Sequence, residues 1–334
     1  MVIKILSTPT VIEPGLIHLI KNQITMKAAV YYEYGSPSVL QIKEVDKPVP
    51  TNKEILVRVK ASTVSAAISW TRRGQHPDSK IFTFILRLMF GITKPKQPIL
   101  GFEFSGVVEE VGKDVKLFRK GDPIYGTTTG LKNGAYAEYV CVPEKWNQGV
   151  VALKPKGLTY EEAAALPIGG MTALQLLRKV TIKKGSNILI YGASGSVGTY
   201  AVQLAKYFGA TVTAVCSTAN IELVKSIGAD EVIDYTKKDI ASCRKIVDVI
   251  FDAAGKLPAS ELKSVLKKGG QFVSVKSLTN EKTEYLDFLQ LVIGDGYLKP
   301  VIDRVYPLEQ IVEANEYVDT GRKRGNVVVR VIQD

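Results

Sequence analysis

Cysteine and histidine are almost missing from this sequence of 334 residues, which has three of the first and two of the second. Cys141, Cys216 and Cys243 are widely spaced and odd in number, so no disulfide framework is expected and a reducing, cytoplasmic setting fits. No Cys-x-x-Cys occurs, and with only His18 and His76 to add, a Cys/His zinc site lacks ligands. No apolar run reaches the about 18 residues that a membrane-spanning helix needs. The longest, residues 81–92, is broken by Arg87, so no stable membrane insertion is expected. Acidic charge is in deficit and the formal net charge is +11. The lysines are nevertheless spread along the chain, with no arginine-rich or aromatic-interleaved basic block. The excess reads as a basic surface that attracts a small anionic ligand, and not as a nucleic-acid interface.

What remains is an ordinary globular balance, 46% hydrophobic and 23% charged. The length exceeds one core and suggests two domains of roughly 100–200 residues. Residues 1–25 read apart from the rest. Their apolar start is interrupted by Pro9, Glu13 and Pro14, and no small-residue cleavage site follows. A fresh start appears at Met26-Lys-Ala-Ala-Val30. Residues 1–25 are therefore expected to be a poorly ordered extension.

From 26 to 155, short β segments are punctuated by Gly and Pro, as at residues 55–60, 106–112 and 135–142, which suggests a mostly antiparallel, barrel-like domain. The pattern then changes. Thr159-Tyr-Glu-Glu162 is a capping box, and a helix is expected over 161–177. Strands are expected at 187–191, 211–216, 247–252 and 271–275, and helices at 197–208, 221–227 and 258–266. Alternation at this spacing means βαβ units and a parallel sheet. The strand-like tail, 325–332, is expected to return to the first domain.

The strongest local signal is Ile188-Leu-Ile-Tyr191-Gly192-Ala193-Ser194-Gly195-Ser196-Val197-Gly198. An apolar strand enters a small-residue turn that opens a helix. Ala193-x-Gly195-x-x-Gly198 is the dinucleotide fingerprint with Ala in first place. Gly195 lets backbone approach a pyrophosphate, Gly198 lets helix and strand pack closely, and the free amides at the helix start face the phosphates. The next strand ends Cys216-Ser217-Thr218-Ala219-Asn220 without the carboxylate that would accept the ribose hydroxyls of NAD. Ser217, Thr218 and Asn220, joined by Tyr235, then suit the 2′-phosphate of NADPH, although Ser217 and Thr218 are also able to cap the following helix.

Several segments together resemble the medium-chain dehydrogenase/reductase superfamily, in its zinc-free quinone oxidoreductase-like branch. They are Met26-Lys-Ala-Ala-Val30, Pro98-Ile-Leu-Gly101-Phe-Glu103-Phe-Ser-Gly106, Lys120-Gly-Asp122, Gly134-Ala-Tyr136-Ala-Glu-Tyr139 and Glu161-Glu-Ala-Ala-Ala-Leu-Pro167. The series continues through Thr172-Ala-Leu174, the turn above, Ile227-Gly-Ala-Asp-Glu-Val-Ile-Asp-Tyr235, Phe251-Asp-Ala-Ala-Gly255, Lys267-Lys-Gly-Gly270 and Gly325-Asn-Val-Val-Val329. The resemblance implies an α/β protein with two domains. One is a GroES-like, mostly antiparallel β catalytic domain, 26–155, completed by 298–334. The other is a Rossmann domain with a doubly wound parallel sheet, 156–297, and the active site lies in the cleft between them. It also implies cofactor contacts from Thr172, Ala254 and Val275, and a homodimer formed through the last Rossmann strand, with 271–275 and the segment near 289–293 as its apolar edge.

Zinc-dependent members of that superfamily bind the metal through Cys, His and Cys. The matching positions here are near Ser65, at Phe102 and near Gly170, so the resemblance implies no metal and an acceptor that is already electrophilic, a quinone or an α,β-unsaturated carbonyl. Ser65 stands where many relatives have Asn, and is either a hydrogen-bonding group for substrate or nicotinamide ribose or a turn serine. His76 is either a proton donor to an enolate or a surface loop residue. Residues 81–91 read as a helix that narrows the cavity, with a peripheral membrane contact as the alternative, since Lys94 and Lys96 follow. The reading is a zinc-independent NADPH-dependent oxidoreductase. Its rivals are an alcohol or carbonyl dehydrogenase and a non-catalytic nucleotide-binding scaffold of the same fold.

Overall fold

Two hydrogen-bonded sheets divide most of the strands in this computed structural model, which describes residues 25–77, 79–132, 134–240 and 246–332. The expected extension, His18 and Cys243 lie outside the described residues, except that Thr25 already belongs to the first strand.

The described chain begins with the antiparallel ribbon β1 (Thr25–Val30) and β2 (Gln41–Asp46). It continues through β3 (Glu54–Val64), α1 (Ala66–Arg73), α2 (Lys80–Phe90), β4 (Glu103–Val111), β5 (Pro123–Thr127), β6 (Tyr139–Pro143) and β7 (Val151–Leu153). Next come α3 (Tyr160–Ala165) and α4 (Pro167–Arg178), then β8 (Asn187–Tyr191), α5 (Ser196–Tyr207), β9 (Thr211–Cys216), α6 (Ile221–Ser226) and β10 (Glu231–Asp234). The last stretch holds β11 (Val247–Asp252), α7 (Ala259–Lys263), β12 (Leu266–Ser274), α8 (Thr283–Gly294), β13 (Ile302–Pro307), α9 (Ile311–Asp319) and β14 (Asn326–Arg330).

The larger sheet runs β13-β14-β3-β4-β5-β7, with β6 also on β3, and is antiparallel apart from the β13–β14 pair. β3 exchanges one partner halfway, pairing with β6 over 54–58 and with β14 over 61–64, and its side chains are almost all buried. The returning tail is thus part of the first sheet, as the sequence suggested. The smaller sheet runs β10-β9-β8-β11-β12 and is parallel throughout. Its βαβ crossovers bury both faces, which is why β8 is apolar from Ile188 onward and why β9, with Thr213 among its residues, is buried from Val212 to Cys216.

Some boundaries differ from the sequence reading. The helix expected over 161–177 is two helices. The capping box is present, with Glu162 N donating to Thr159 Oγ1 at 3.1 Å and Thr159 N donating to Glu162 Oε2 at 2.9 Å. Pro167 then ends the first helix and starts the second, because it has no amide to donate. β12 begins five residues before the expected 271, and α7 shrinks to Ala259–Lys263. The segment near 289–293 is not a sheet edge. It lies in α8, whose Leu286, Leu289 and Val292 are buried in the core of the parallel-sheet half.

Candidate active site

β8 delivers the chain into a turn at the carboxyl end of the parallel sheet, where its order reverses and ligands of such sheets bind. Gly192 has φ +77°, and a Cβ there would lie 2.9 Å from Ala254 Cβ. A Cβ on Gly198 would overlap the Gly192 carbonyl oxygen, so this glycine lets α5 sit against the turn. Gly195 differs. A Cβ there would meet no atom closer than 3.5 Å, the Gly192 carbonyl oxygen, so packing within the protein does not demand a glycine. Gly195 is also the N-cap of α5 and offers no side-chain cap, which leaves the amides of the first turn for an outside acceptor.

The neighbouring strand ends join this turn. Asn220 Nδ2 donates to Ser194 Oγ at 3.0 Å and to Ser217 Oγ at 3.2 Å, so the end of β9 and the turn share one polar cluster. Thr218 is instead engaged with Asp234, the last residue of β10, at 2.5 Å, and Tyr235 beside it is exposed. Hydrogen bonds from Thr218 and Thr236 hold the Asp234 carboxyl below its usual range. β9 ends without an acid, and the carboxylate beside its hydroxyls comes from the end of β10, a role that spacing along β9 does not report. At the end of β11 the buried Asp252 accepts from the amides of Ala254 and Gly255 at 3.1 and 2.8 Å and from Ser274 Oγ at 2.8 Å. That locks the two loops on which Ala254 and Val275 sit. Thr172 lies half-buried on α4.

The start of β14 closes the other side. Gly325 N donates to Ser194 O at 2.8 Å, and Ser196 Oγ bonds Asn326 Oδ1 at 2.5 Å. Lys323 Nζ donates to Gly325 O at 2.7 Å; desolvation pulls its ammonium down to about 8, against the attraction of Glu103 and Asp303. Glu103 is buried at the head of β4 and accepts from Thr63 Oγ1 at 2.5 Å and from Ile168 N at 2.7 Å. Those donors oppose desolvation, which still pushes its carboxyl up to about 7.

A cavity of about 610 Å³ lies beside Glu103's neighbour Phe102, with Met89, Phe90, Ile99, Thr128 and Glu281 also on its wall. The Phe90 and Phe102 rings are 6.0 Å apart. The last turn of α2 therefore narrows the cavity, as the sequence reading expected of this helix. Glu281 is the ionisable residue on that wall. Its Oε1 accepts from Thr129 Oγ1 at 2.7 Å and its Oε2 from Thr127 Oγ1. Desolvation raises its carboxyl above the ordinary range, against the two threonine hydrogen bonds. No motif marked it, because it reaches its partners across more than 150 residues of chain.

Ser65 is the N-cap of α1, with Ile68 N donating to its Oγ at 3.4 Å. His76 packs between the rings of Trp70 and Phe82, at 4.6 and 5.4 Å, and lines a separate shallow hollow. Phe102 is half-buried, and a Cβ on Gly170 would lie 2.9 Å from Leu289 Cδ1 in apolar surroundings. Among the described residues no three His, Cys, Asp or Glu side chains are grouped to hold a metal ion.

Residues 51–155 match the model of the alcohol dehydrogenase GroES-like domain, and residues 196–299 and 276–329 match models described as zinc-binding dehydrogenase. The chain is 35% identical over 328 residues to a 2-methylene-furan-3-one reductase of Solanum lycopersicum, covering 92% of this chain and 79% of that one. It is 33% identical to a chloroplastic NADPH-dependent alkenal/one oxidoreductase of Arabidopsis thaliana, over 91% of this chain and 79% of the relative. A solved quinone oxidoreductase from Coxiella burnetii superposes with a TM-score of 0.77 at 27% identity, over 92% of this chain and all of that one.

Proposed function

The chain belongs to the medium-chain dehydrogenase/reductase superfamily and is an NAD(P)H-dependent oxidoreductase, and from that premise we propose that it transfers hydride from NADPH to a quinone or an α,β-unsaturated carbonyl without a catalytic zinc. The observation that carries the reading is the space at Gly195. The protein itself leaves room there for a side chain, and an uncapped helix start faces it, as a pyrophosphate requires. Ala254, beside Gly192 in the turn, is a further proposed cofactor contact, together with Thr172 on α4 and Val275 after β12.

A bound nicotinamide supplies the hydride. The protein's part is to orient the acceptor between Phe90 and Phe102 and to supply a proton. Reduction of an enone or a quinone consumes one hydride and then a proton at the developing oxyanion or carbanion. Glu281 is the acid on the cavity wall, and its raised carboxyl retains a proton closer to neutrality than an ordinary glutamate does. Its position supports it over His76, whose imidazole packs at a tilt between the Trp70 and Phe82 rings in another hollow. Ser65 remains the candidate for a hydrogen bond to substrate or nicotinamide ribose, besides capping α1.

Preference for NADPH is supported by the hydroxyl and amide cluster of Ser194, Ser217 and Asn220 and by the absence of an acid on β9. Asp234 opposes it, so the discrimination is expected to be modest. The free Cys141 and Cys216 support a reducing compartment, the cytoplasm, and no helix among the described residues is long and apolar enough to cross a membrane. A panel of quinones, enones and aldehydes, offered with NADPH and with NADH, tests the reading. Turnover is expected with the first two classes and should survive a chelator. Turnover of simple aldehydes alone, or stoichiometric zinc by elemental analysis, would overturn it.

A further inference from the structure

Helix α2 carries its apolar side chains on the wrong side for a soluble protein. Ile81, Phe84, Ile85, Leu88 and Met89 recur at spacings of three and four, which places them in one stripe along the helix, and Ile92 follows just past its end. In most surface helices such a stripe faces the core. Here no residue of α2 is buried, and Ile81, Phe84 and Ile92 are each about 70% exposed.

The helix is anchored through other groups. Arg87 Nε donates to Gly74 O at 2.7 Å, and its guanidinium stacks 3.9 Å from the Tyr34 ring. Thr83 Oγ1 accepts from His76 N at 3.0 Å, and Phe82 and Phe90 contact His76 and Phe102. The stripe is thus left outward by an attachment built from a different face. A contiguous apolar stripe exposed in this way marks an interaction surface.

The charge around it selects the occupant. From 80 to 102 the chain has Lys80, Arg87, Lys94 and Lys96 and no acidic residue, and Lys80, Lys94 and Lys96 are exposed. A second copy of this chain laid on the stripe would bring the same cations together, in a molecule already at +11. A bilayer with anionic headgroups offers both complements at once, hydrocarbon for the stripe and negative charge for the rim.

We propose that α2 is a peripheral docking element that lays its outer stripe into the interface of an anionic lipid membrane. Met89 belongs to the stripe and also lines the cavity, so docking sets the cavity mouth at the lipid surface, where apolar acceptors partition. That consequence rests on the quinone-or-enone reading; the docking does not.

Full-length protein is sedimented with phosphatidylcholine vesicles with and without phosphatidylserine, at low and high salt. Binding is expected to rise about tenfold with phosphatidylserine and to fall with salt. The Phe84→Glu, Leu88→Glu variant should lose about tenfold in binding while keeping its NADPH-induced melting shift and its turnover of a water-soluble quinone. If the glutamates prevent folding, Lys94→Gln with Lys96→Gln carries the test, since both side chains are exposed. Wild-type protein that stays in the supernatant overturns the proposal, as does a variant that still pellets fully. A fall in solution mass caused by Phe84→Glu, Leu88→Glu also overturns it, by assigning the stripe to a second copy. Failure of turnover with every quinone, with docking intact, would strike the enzymatic reading alone.

Discussion

A methyl group at Gly195 would meet no protein atom closer than 3.5 Å, so its glycine is explained from outside the chain. Gly195→Val should leave the melting temperature of the cofactor-free protein nearly unchanged. It should abolish the stabilisation by NADPH, which is about 2.7 kcal/mol at a hundredfold excess over Kd. Thermal unfolding with and without NADPH checks this, and a variant that keeps its shift removes the turn from the phosphate site. Asp234 makes a second residue-level test. Its charge is held by Thr218, the chain neighbour of Ser217 in the proposed 2′-phosphate cluster, and by Thr236, so Asp234→Asn should widen the NADPH preference and Ser217→Asp should reverse it. Fluorescence titration of each cofactor measures both. For Glu281, the raised carboxyl means that the proton is present below its pKa and lost above it. Enone turnover should therefore fall as pH rises through that value, and Glu281→Gln should remove this limb and lower kcat more than KM. A pH–rate profile identical to that of the wild type would exclude Glu281 as the donor.

At the scale of elements, what could be read from sequence follows the distance between the residues involved. β8, β9 and β11 lie where apolar runs between turn residues put them, and the capping box at Thr159 is a contact over three residues. The phosphate turn was legible for the same reason, because strand, turn and helix are consecutive. Pro167 was visible too, yet the apolar pattern on both sides hid that it divides a helix. The ring of polar contacts around Glu103 was not legible. It joins Thr63 of β3 and Ile168 of α4 by hydrogen bonds and feels the charge of Lys323 before β14, and no local periodicity reports it. Its energetics are testable. Folded Glu103 holds its proton up to about 7, against 4.5 for a free carboxyl, so it binds more protons folded than unfolded. Its contribution is full below the unfolded value and is lost as pH rises through about 7. A shift of that size corresponds to roughly 3 kcal/mol. Glu103→Gln should flatten the fall in stability across that window, measured by denaturant unfolding at several pH values. An unchanged slope would show that the carboxyl is not desolvated.

At the scale of the whole molecule, the parallel sheet ends at β12, whose outer side has no strand partner among the described residues. An open edge of this kind invites uncontrolled pairing unless it is guarded or covered. The first half of β12 is guarded, since Lys267 and Lys268 are exposed and a second strand brought there would meet their charge. The second half, Gln271 to Ser274, carries no charge and is partly or fully buried. Two copies related by a two-fold axis can pair these halves antiparallel, which joins two five-stranded sheets and lets each copy hide the edge of the other. The expected solution species is therefore a homodimer built on residues 271–274. Light scattering at micromolar concentration should give twice the chain mass, and that mass should persist in the Phe84→Glu, Leu88→Glu variant, because α2 takes no part. Amide exchange should find the outward-facing amides of 271–274 protected in the dimer. A monomeric mass, or fast exchange along that half-strand, would leave the edge uncovered and refute the arrangement.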